Sequence, residues 1–139
     1  MATKAVSLDL GDSQSWYVLG NAHLTNFFVT DSIGELTLAL KAYTQTERLQ
    51  KEPNPDLFYN RATIFEYLER YNEAVRDYQH AHSIDPNLHA DKKAEKIVDF
   101  VVQAAILIQS KGKMKSNKLI QMVKTVPSTL QQAVSFPTN

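Results

Sequence analysis

The chain has 139 residues, a formal net charge of zero and no cysteine. This length suits one compact domain and is too short for two large ones. Because positive and negative charges balance, the chain as a whole has no field that would attract nucleic acid or an anionic membrane. Without cysteine the sequence can form neither disulfide bonds nor thiolate metal sites, which fits a reducing compartment.

Residues 1–11 contain no long apolar run and therefore predict no signal peptide. The sequence of residues 4–9 parallels that of residues 81–85, which ends a predicted helix. We interpret residues 1–11 as the end of a preceding, truncated repeat. The longest nearly apolar stretch, residues 100–108, is too short to span a bilayer, so we expect a soluble intracellular protein.

Residues 12–53 predict a first helical hairpin. Trp16, Leu19 and Gly20 lie close together on one turn of its first helix, and Ala39 and Tyr43 lie four residues apart on its second. Two helices can approach closely where small residues leave room for facing aromatic rings. We therefore expect the glycine and the alanine to mark the helix–helix contact.

Residues 54–87 predict a second hairpin. Asn54 is a typical N-cap residue and is followed by a proline, which suits the first turn of a helix. We place the turn between the two helices at residues 70–73 and the end of the second helix at Asp85, before Pro86.

The two hairpins repeat in register except for one insertion. Ala74 and Tyr78 follow their counterparts in the first hairpin by 35 residues, whereas Phe58 follows Trp16 by 42. The first hairpin therefore carries about seven extra residues, which we place near residues 26–34. They either lengthen its first helix by two turns or form a longer connecting loop.

These residues resemble the tetratricopeptide signature, W-x2-L-G-x2-Y followed by A-x3-F and P. The resemblance implies an all-α fold of tetratricopeptide (TPR) hairpins in a right-handed superhelix with a C-terminal capping helix. Residues 88–110 predict the capping helix, and one apolar stripe on it would cover the last repeat. We expect a basic loop and short helix at residues 111–124 and a flexible tail at residues 125–139.

The first helix of each hairpin lines a groove in this fold, so counting along those helices predicts a peptide-binding surface. Its side chains include amides that can bond a peptide backbone, aromatic rings that can flank an apolar side chain, and one acid. The predicted groove residues are Gln14, Tyr17, Asn21, Thr25, Asp56, Tyr59, Asn60, Thr63 and Tyr67. The alternative interpretation is that the tyrosines only cover neighbouring helices and that Asp56 favours the helix N-terminus.

The sequence carries no pattern typical of catalysis or of cofactor or metal binding. It contains no nucleophile elbow, phosphate loop, dinucleotide fingerprint or zinc spacing, so we predict a protein that is not an enzyme. A basic run offers an alternative function in nucleic-acid or ribosome association, against the simpler reading of a solvated loop. This run consists of Lys111, Lys113, Lys115 and Lys118.

Three stretches, residues 15–21, 54–63 and 110–119, together resemble the Strap family of stress-responsive transcription cofactors. The resemblance implies a scaffold, found in the cytoplasm and nucleus, that assembles coactivator complexes and recognises the amino-terminal peptide of nascent tubulin. It also implies that Asp56 is an acidic peptide contact and that a second acidic position falls at Ala90, beside Asp91. Self-association through an exposed repeat face is a further expectation.

Overall fold

The computed structural model describes residues 9–110, which form five α-helices and one short 3₁₀ helix. The first hairpin consists of α1 and α2, the second of α3 and α4, and α5 follows the 3₁₀ turn. The helix bounds are α1 Ser13–Thr30, α2 Ile33–Leu49, α3 Pro55–Tyr67, α4 Tyr71–Ile84, the 3₁₀ helix Pro86–Leu88 and α5 Ala90–Ser110. None of these helices is both long and apolar enough to cross a membrane.

Local sequence signals explain where the helices start. The Asp12 carboxylate accepts hydrogen bonds from the backbone N–H groups of Gln14 and Ser15, and its hydrogen bond with the Ser15 hydroxyl lowers its pKa. Asn54 caps α3 in the same way, by accepting from the backbone N–H of Asp56 at 3.0 Å. Both caps satisfy amide donors that the first helical turn leaves unpaired.

The structure shows where the extra residues of the first hairpin lie and where the chain reverses in the second hairpin. In the first hairpin α1 continues through Thr30, and residues 31–32 alone lead into α2. In the second hairpin the predicted turn at residues 70–73 is wrong, because α4 already begins at Tyr71. The reversal instead uses residues 68–70, with Glu69 at a φ of 58°.

Two packed clusters form the core. In the first hairpin, Tyr43 of α2 is fully buried and lies against Gly20 of α1. In the second, Tyr78 of α4 is fully buried in one cluster with Ala62 of α3. Helix α5 adds its apolar stripe to this second cluster through Ala90, Ala94, Ile97 and Val98.

Arg61 links the two hairpins. Its guanidinium forms a two-point hydrogen bond with Asp77 of α4, at 2.6 and 3.0 Å, and also contacts Glu47 of α2. Burial works against the charged form of Arg61, but the two carboxylates outweigh it and raise its pKa. Arg61 also lies over the ring of Phe58, at 5.5 Å from its centroid, and that ring is stacked on His80 at 4.0 Å.

Candidate peptide-binding groove

Helices α1 and α3, the first helices of the two hairpins, lie side by side. Asn60 Nδ2 donates a hydrogen bond to Asn21 Oδ1 at 3.2 Å. Seven residues further along each helix, the ring centroids of Phe28 and Tyr67 are 5.7 Å apart. Because both contacts advance together along the two helices, α1 and α3 run in the same direction. We call the surface between them the α1–α3 groove.

A hydrogen-bond network forms the middle of the groove. Asn21 Oδ1 accepts from the hydroxyl of Tyr43 at 2.6 Å as well as from Asn60, and Asn60 also reaches the hydroxyl of Tyr17 at 3.5 Å. Burial raises the pKa of Tyr43, so its hydroxyl remains a donor. Within residues 9–110 the Nδ2 group of Asn21 has no such partner, which leaves one amide donor for a ligand carbonyl.

A second polar cluster lies between α3, α4 and α5. The Tyr78 hydroxyl donates to Glu66 Oε1 at 2.9 Å and lies 3.2 Å from the hydroxyl of Thr63. Burial first, and then the Glu66 carboxylate, raise the pKa of Tyr78. The ring of Tyr59 packs edge to face on that of Tyr78, at 5.3 Å. A small open cleft of about 170 Å³ lies here, lined by Thr63, Glu66, Tyr67, Tyr78 and Lys93.

The ends of the groove differ in chemistry. Asp56, on the first turn of α3, is exposed and has no ion-pair partner among the residues that the structure describes. At the other end Tyr67 is 53% exposed and Phe28 is 55% exposed. The groove therefore has an acidic end, an amide-lined middle and an aromatic end.

All nine sequence-predicted groove residues lie on α1 or α3, and four of them make contacts between the two helices: Tyr17, Asn21, Asn60 and Tyr67. Tyr17, Asn21 and Asn60 share one hydrogen-bond network, while Tyr59 and Thr63 pack towards Tyr78. The other four residues are exposed and lie along the same two helices: Gln14, Thr25, Asp56 and Tyr67. The packing of Tyr59 is what the alternative interpretation expected, since this ring covers a neighbouring helix.

Sequence reasoning missed Phe28, Glu66 and Lys93. Phe28 lies in the inserted stretch, where no repeat position could be assigned by counting from the signature. Its spacing from Tyr17 is eleven residues, three helical turns, which was the available signal. Lys93 reaches the cleft from α5 by tertiary packing, and no local pattern indicates that.

A larger cleft of about 580 Å³ lies on the other side of α1, between α1 and α2. Its lining is mainly apolar and includes Trp16, Leu19 and Leu38, together with the polar His23 and Lys41. His23 Nδ1 lies 2.6 Å from Glu35 Oε2 and ties the two helices together beside it. This surface lies away from the α1–α3 groove.

No group of three or more His, Cys, Asp or Glu side chains within residues 9–110 is arranged to hold a metal ion. The lysine run predicted as an alternative contact, at residues 111–118, lies outside the described residues, as do the short helix and the tail. Ala90, the second acidic position of the Strap-like pattern, is fully buried at the start of α5. Its neighbour Asp91 lies 3.6 Å from His82 Nδ1.

Comparison with known proteins agrees with this architecture. Residues 55–88, which include all of the second hairpin, match the tetratricopeptide repeat family. The chain is 37% identical over 126 residues to tetratricopeptide repeat protein 5 of Bos taurus and to that of Homo sapiens. Each alignment covers 88% of this chain but only 29% of the relative, so the chain spans less than a third of the length of these relatives.

These relatives are the proteins to which the resemblance in the sequence pointed, so that resemblance is confirmed. The prediction of an all-helical tetratricopeptide fold is confirmed as well. Proteins of this repeat type serve as scaffolds for protein interaction. The chain therefore has a helical fold of the tetratricopeptide type, carries a match to that repeat at residues 55–88, and is similar over most of its length to part of tetratricopeptide repeat protein 5.

Proposed function

We propose that the chain binds an extended peptide segment of a partner protein in the α1–α3 groove. The observation that carries the proposal is the row of polar and aromatic groups along two helices that run in the same direction. Asn21 offers an amide donor on α1. On α3 the exposed Asp56 and the exposed ring of Tyr67 lie one turn before and two turns after Asn60, so helical spacing puts them near one face of the helix. A peptide in extended conformation presents backbone carbonyls and alternate side chains to such a surface.

The charge of the groove favours a partner with a basic group. The Asp56 carboxylate is exposed at the first turn of α3 and forms no ion pair within residues 9–110. A lysine, an arginine or an amino terminus of the peptide would supply the missing positive charge. Exposed charge pairs contribute about 1 kcal/mol at most. This contact therefore contributes to the specificity of binding more than to its affinity.

The resemblance to the Strap family supplies two settings for this binding, in the cytoplasm and the nucleus. One is the assembly of coactivator components and the other is the recognition of nascent tubulin. Asp56 supports both as the acidic peptide contact. The buried Ala90 does not supply the family's second acidic contact, and Asp91 faces His82. The proposal for this chain therefore rests on the peptide groove and not on a particular partner.

The test is binding of fluorescein-labelled nonapeptides with a basic amino-terminal residue, measured by fluorescence anisotropy. We expect Asp56→Ala to weaken binding about fivefold, because it removes one exposed charge pair. Circular dichroism should show unchanged helix content. The matched control is Glu52→Ala, since Glu52 is an exposed acid in the connection before α3.

If Asp56→Ala binds these peptides as tightly as the unmodified chain, the assignment of Asp56 is wrong. A salt titration checks the predicted alternative, since contact of the lysine run with nucleic acid would weaken steeply with salt. If peptide binding is undetectable while RNA binding shows that steep dependence, the alternative function replaces the proposal.

A further inference from the structure

The aromatic end of the α1–α3 groove is an exposed, well-supported apolar surface. The rings of Phe28 and Tyr67 meet edge to face, with their planes at 67°. Beneath them Phe27 is buried, and its ring lies 5.1 Å from that of Tyr67. Rigid aromatic side chains of this kind are enriched in surfaces that bind other proteins, because they offer large contact area at little entropic cost.

The extra turn of α1 creates this surface. Helix α1 has 18 residues and α3 has 13, and Phe28 lies in the part of α1 that extends beyond the end of a helix of α3's length. Without that turn Tyr67 would have no aromatic neighbour from the first hairpin. The insertion therefore adds a feature to the groove that the second hairpin cannot provide by itself.

The acidic end and the aromatic end lie a fixed distance apart, because both are on one helix. Asp56 and Tyr67 are eleven residues apart on α3. At 1.5 Å per residue their Cα atoms are separated by about 16 Å along the helix axis. An extended peptide advances by about 3.3 Å per residue, so it covers this distance in about five residues.

Resting on the peptide binding proposed above, we propose that the groove selects extended segments that carry a basic group and an apolar side chain about five residues apart. The basic group pairs with Asp56, and the apolar side chain, aromatic or branched aliphatic, packs on Phe28 and Tyr67. Between them, the Nδ2 group of Asn21, which has no hydrogen-bond partner in the described part of the chain, donates to a backbone carbonyl of the peptide. The carboxylate at one end and the aromatic rings at the other thus select the two side chains of the ligand.

The test is selection of phage-displayed random nonapeptides on the immobilised full chain. We expect enriched sequences to carry Lys or Arg and, four to six positions away, Phe, Tyr, Leu or Ile. Selection on Phe28→Ala should keep the basic residue and lose the apolar one. Leu38→Ala is the matched control, because Leu38 is also an exposed apolar side chain, 44% exposed, but lies beside the other cleft.

Affinities of one selected peptide then quantify the contact. Replacing its apolar residue by alanine should weaken binding to the unmodified chain about tenfold, which corresponds to partial burial of one such side chain. The same replacement should change binding to Phe28→Ala less than twofold. Phe28→Ala and Leu38→Ala both replace exposed side chains, so the helix content of each variant should match that of the unmodified chain.

The outcomes separate this inference from the proposed function. Enriched peptides that depend on Asp56 but have no apolar residue at that spacing would overturn the inference and leave peptide binding in place. If no peptide is enriched over the bare support, or if the enriched ones bind Asp56→Ala equally well, the proposed function fails and the inference fails with it.

Discussion

The two hairpins place corresponding residues at corresponding positions but use them differently on the face away from the groove. In the second hairpin Arg61 pairs with Asp77 of α4 and also with Glu47 of α2, in the first hairpin. In the first hairpin the corresponding positions are Leu19 and Ala42, and they line an open apolar cleft. The same helical geometry thus accepts either an ion pair or two apolar side chains at these positions.

The difference shows which positions of the repeat are needed for the fold and which are free to vary. Tyr43 and Tyr78 are both fully buried, and each has a small residue of the partner helix in its cluster or against its ring. The pair at Arg61 and Asp77 has no ionic equivalent in the first hairpin, which packs without it. An ion pair at these positions is therefore not required by the fold, and substitutions can replace it with the apolar pair of the first hairpin.

The largest expected effect comes from breaking the charged face of the second hairpin. Arg61→Leu introduces the residue of the first hairpin but leaves Asp77, only 7% exposed, without its partner. Removing one member of a buried ion pair costs about 3 kcal/mol, because the other charge stays desolvated. Urea unfolding followed by circular dichroism at 222 nm should show this loss.

The double variant Arg61→Leu/Asp77→Ala sharpens the comparison, since it transplants the whole apolar pair of the first hairpin. Replacing a buried ion pair by apolar residues is often close to neutral, so we expect stability within about 1 kcal/mol of the unmodified chain. A double variant as unstable as Arg61→Leu alone would show that the second hairpin needs the charges themselves.

The contact between the helices gives the next largest effect. A Cβ atom added at Gly20 would lie 2.4 Å from a ring carbon of Tyr43. Gly20→Ala should therefore destabilise the chain by about 2 kcal/mol through overpacking. Helix propensity by itself predicts the opposite sign, a gain of about 1 kcal/mol, so the direction of the change in thermal or urea unfolding decides between the two.

Ala62→Gly is the reciprocal change in the second hairpin. Here we expect a loss of about 1 kcal/mol, which is the usual cost of glycine inside a helix. If Gly20→Ala proves stabilising, Tyr43 can move aside at little cost, and the first hairpin does not require glycine at position 20.

The sequence predicted much of the fold because the repeat pattern is local. Spacings such as that from Ala74 to Tyr78 depend on helical periodicity, and the small residues beside large rings indicate close helix contact. The reversal at Glu69 was misplaced because a residue other than glycine adopts the left-handed conformation there. The contact of Phe28 with Tyr67 was missed because it depends on how far α1 extends past α3. Residue spacing within one helix does not reveal that distance.

The smallest expected effect concerns how the helices begin, where the first helix of each hairpin differs from the second. Asn54 caps α3 through its side chain, whereas Ser32, at the N-cap of α2, forms no such hydrogen bond. Asn54→Ala should therefore cost about 1 kcal/mol, while Ser32→Ala should leave the free energy of unfolding unchanged within error. Because the Asn54 cap holds the backbone N–H of Asp56, amide hydrogen exchange should also quicken in the first turn of α3.

Equal losses from the two substitutions would contradict this difference, since they would mean that Ser32 stabilises α2 by a contact other than a cap. Loss of stability in Asn54→Ala without faster exchange at Asp56 would show that the cap acts on the loop before α3 and not on the end of the groove.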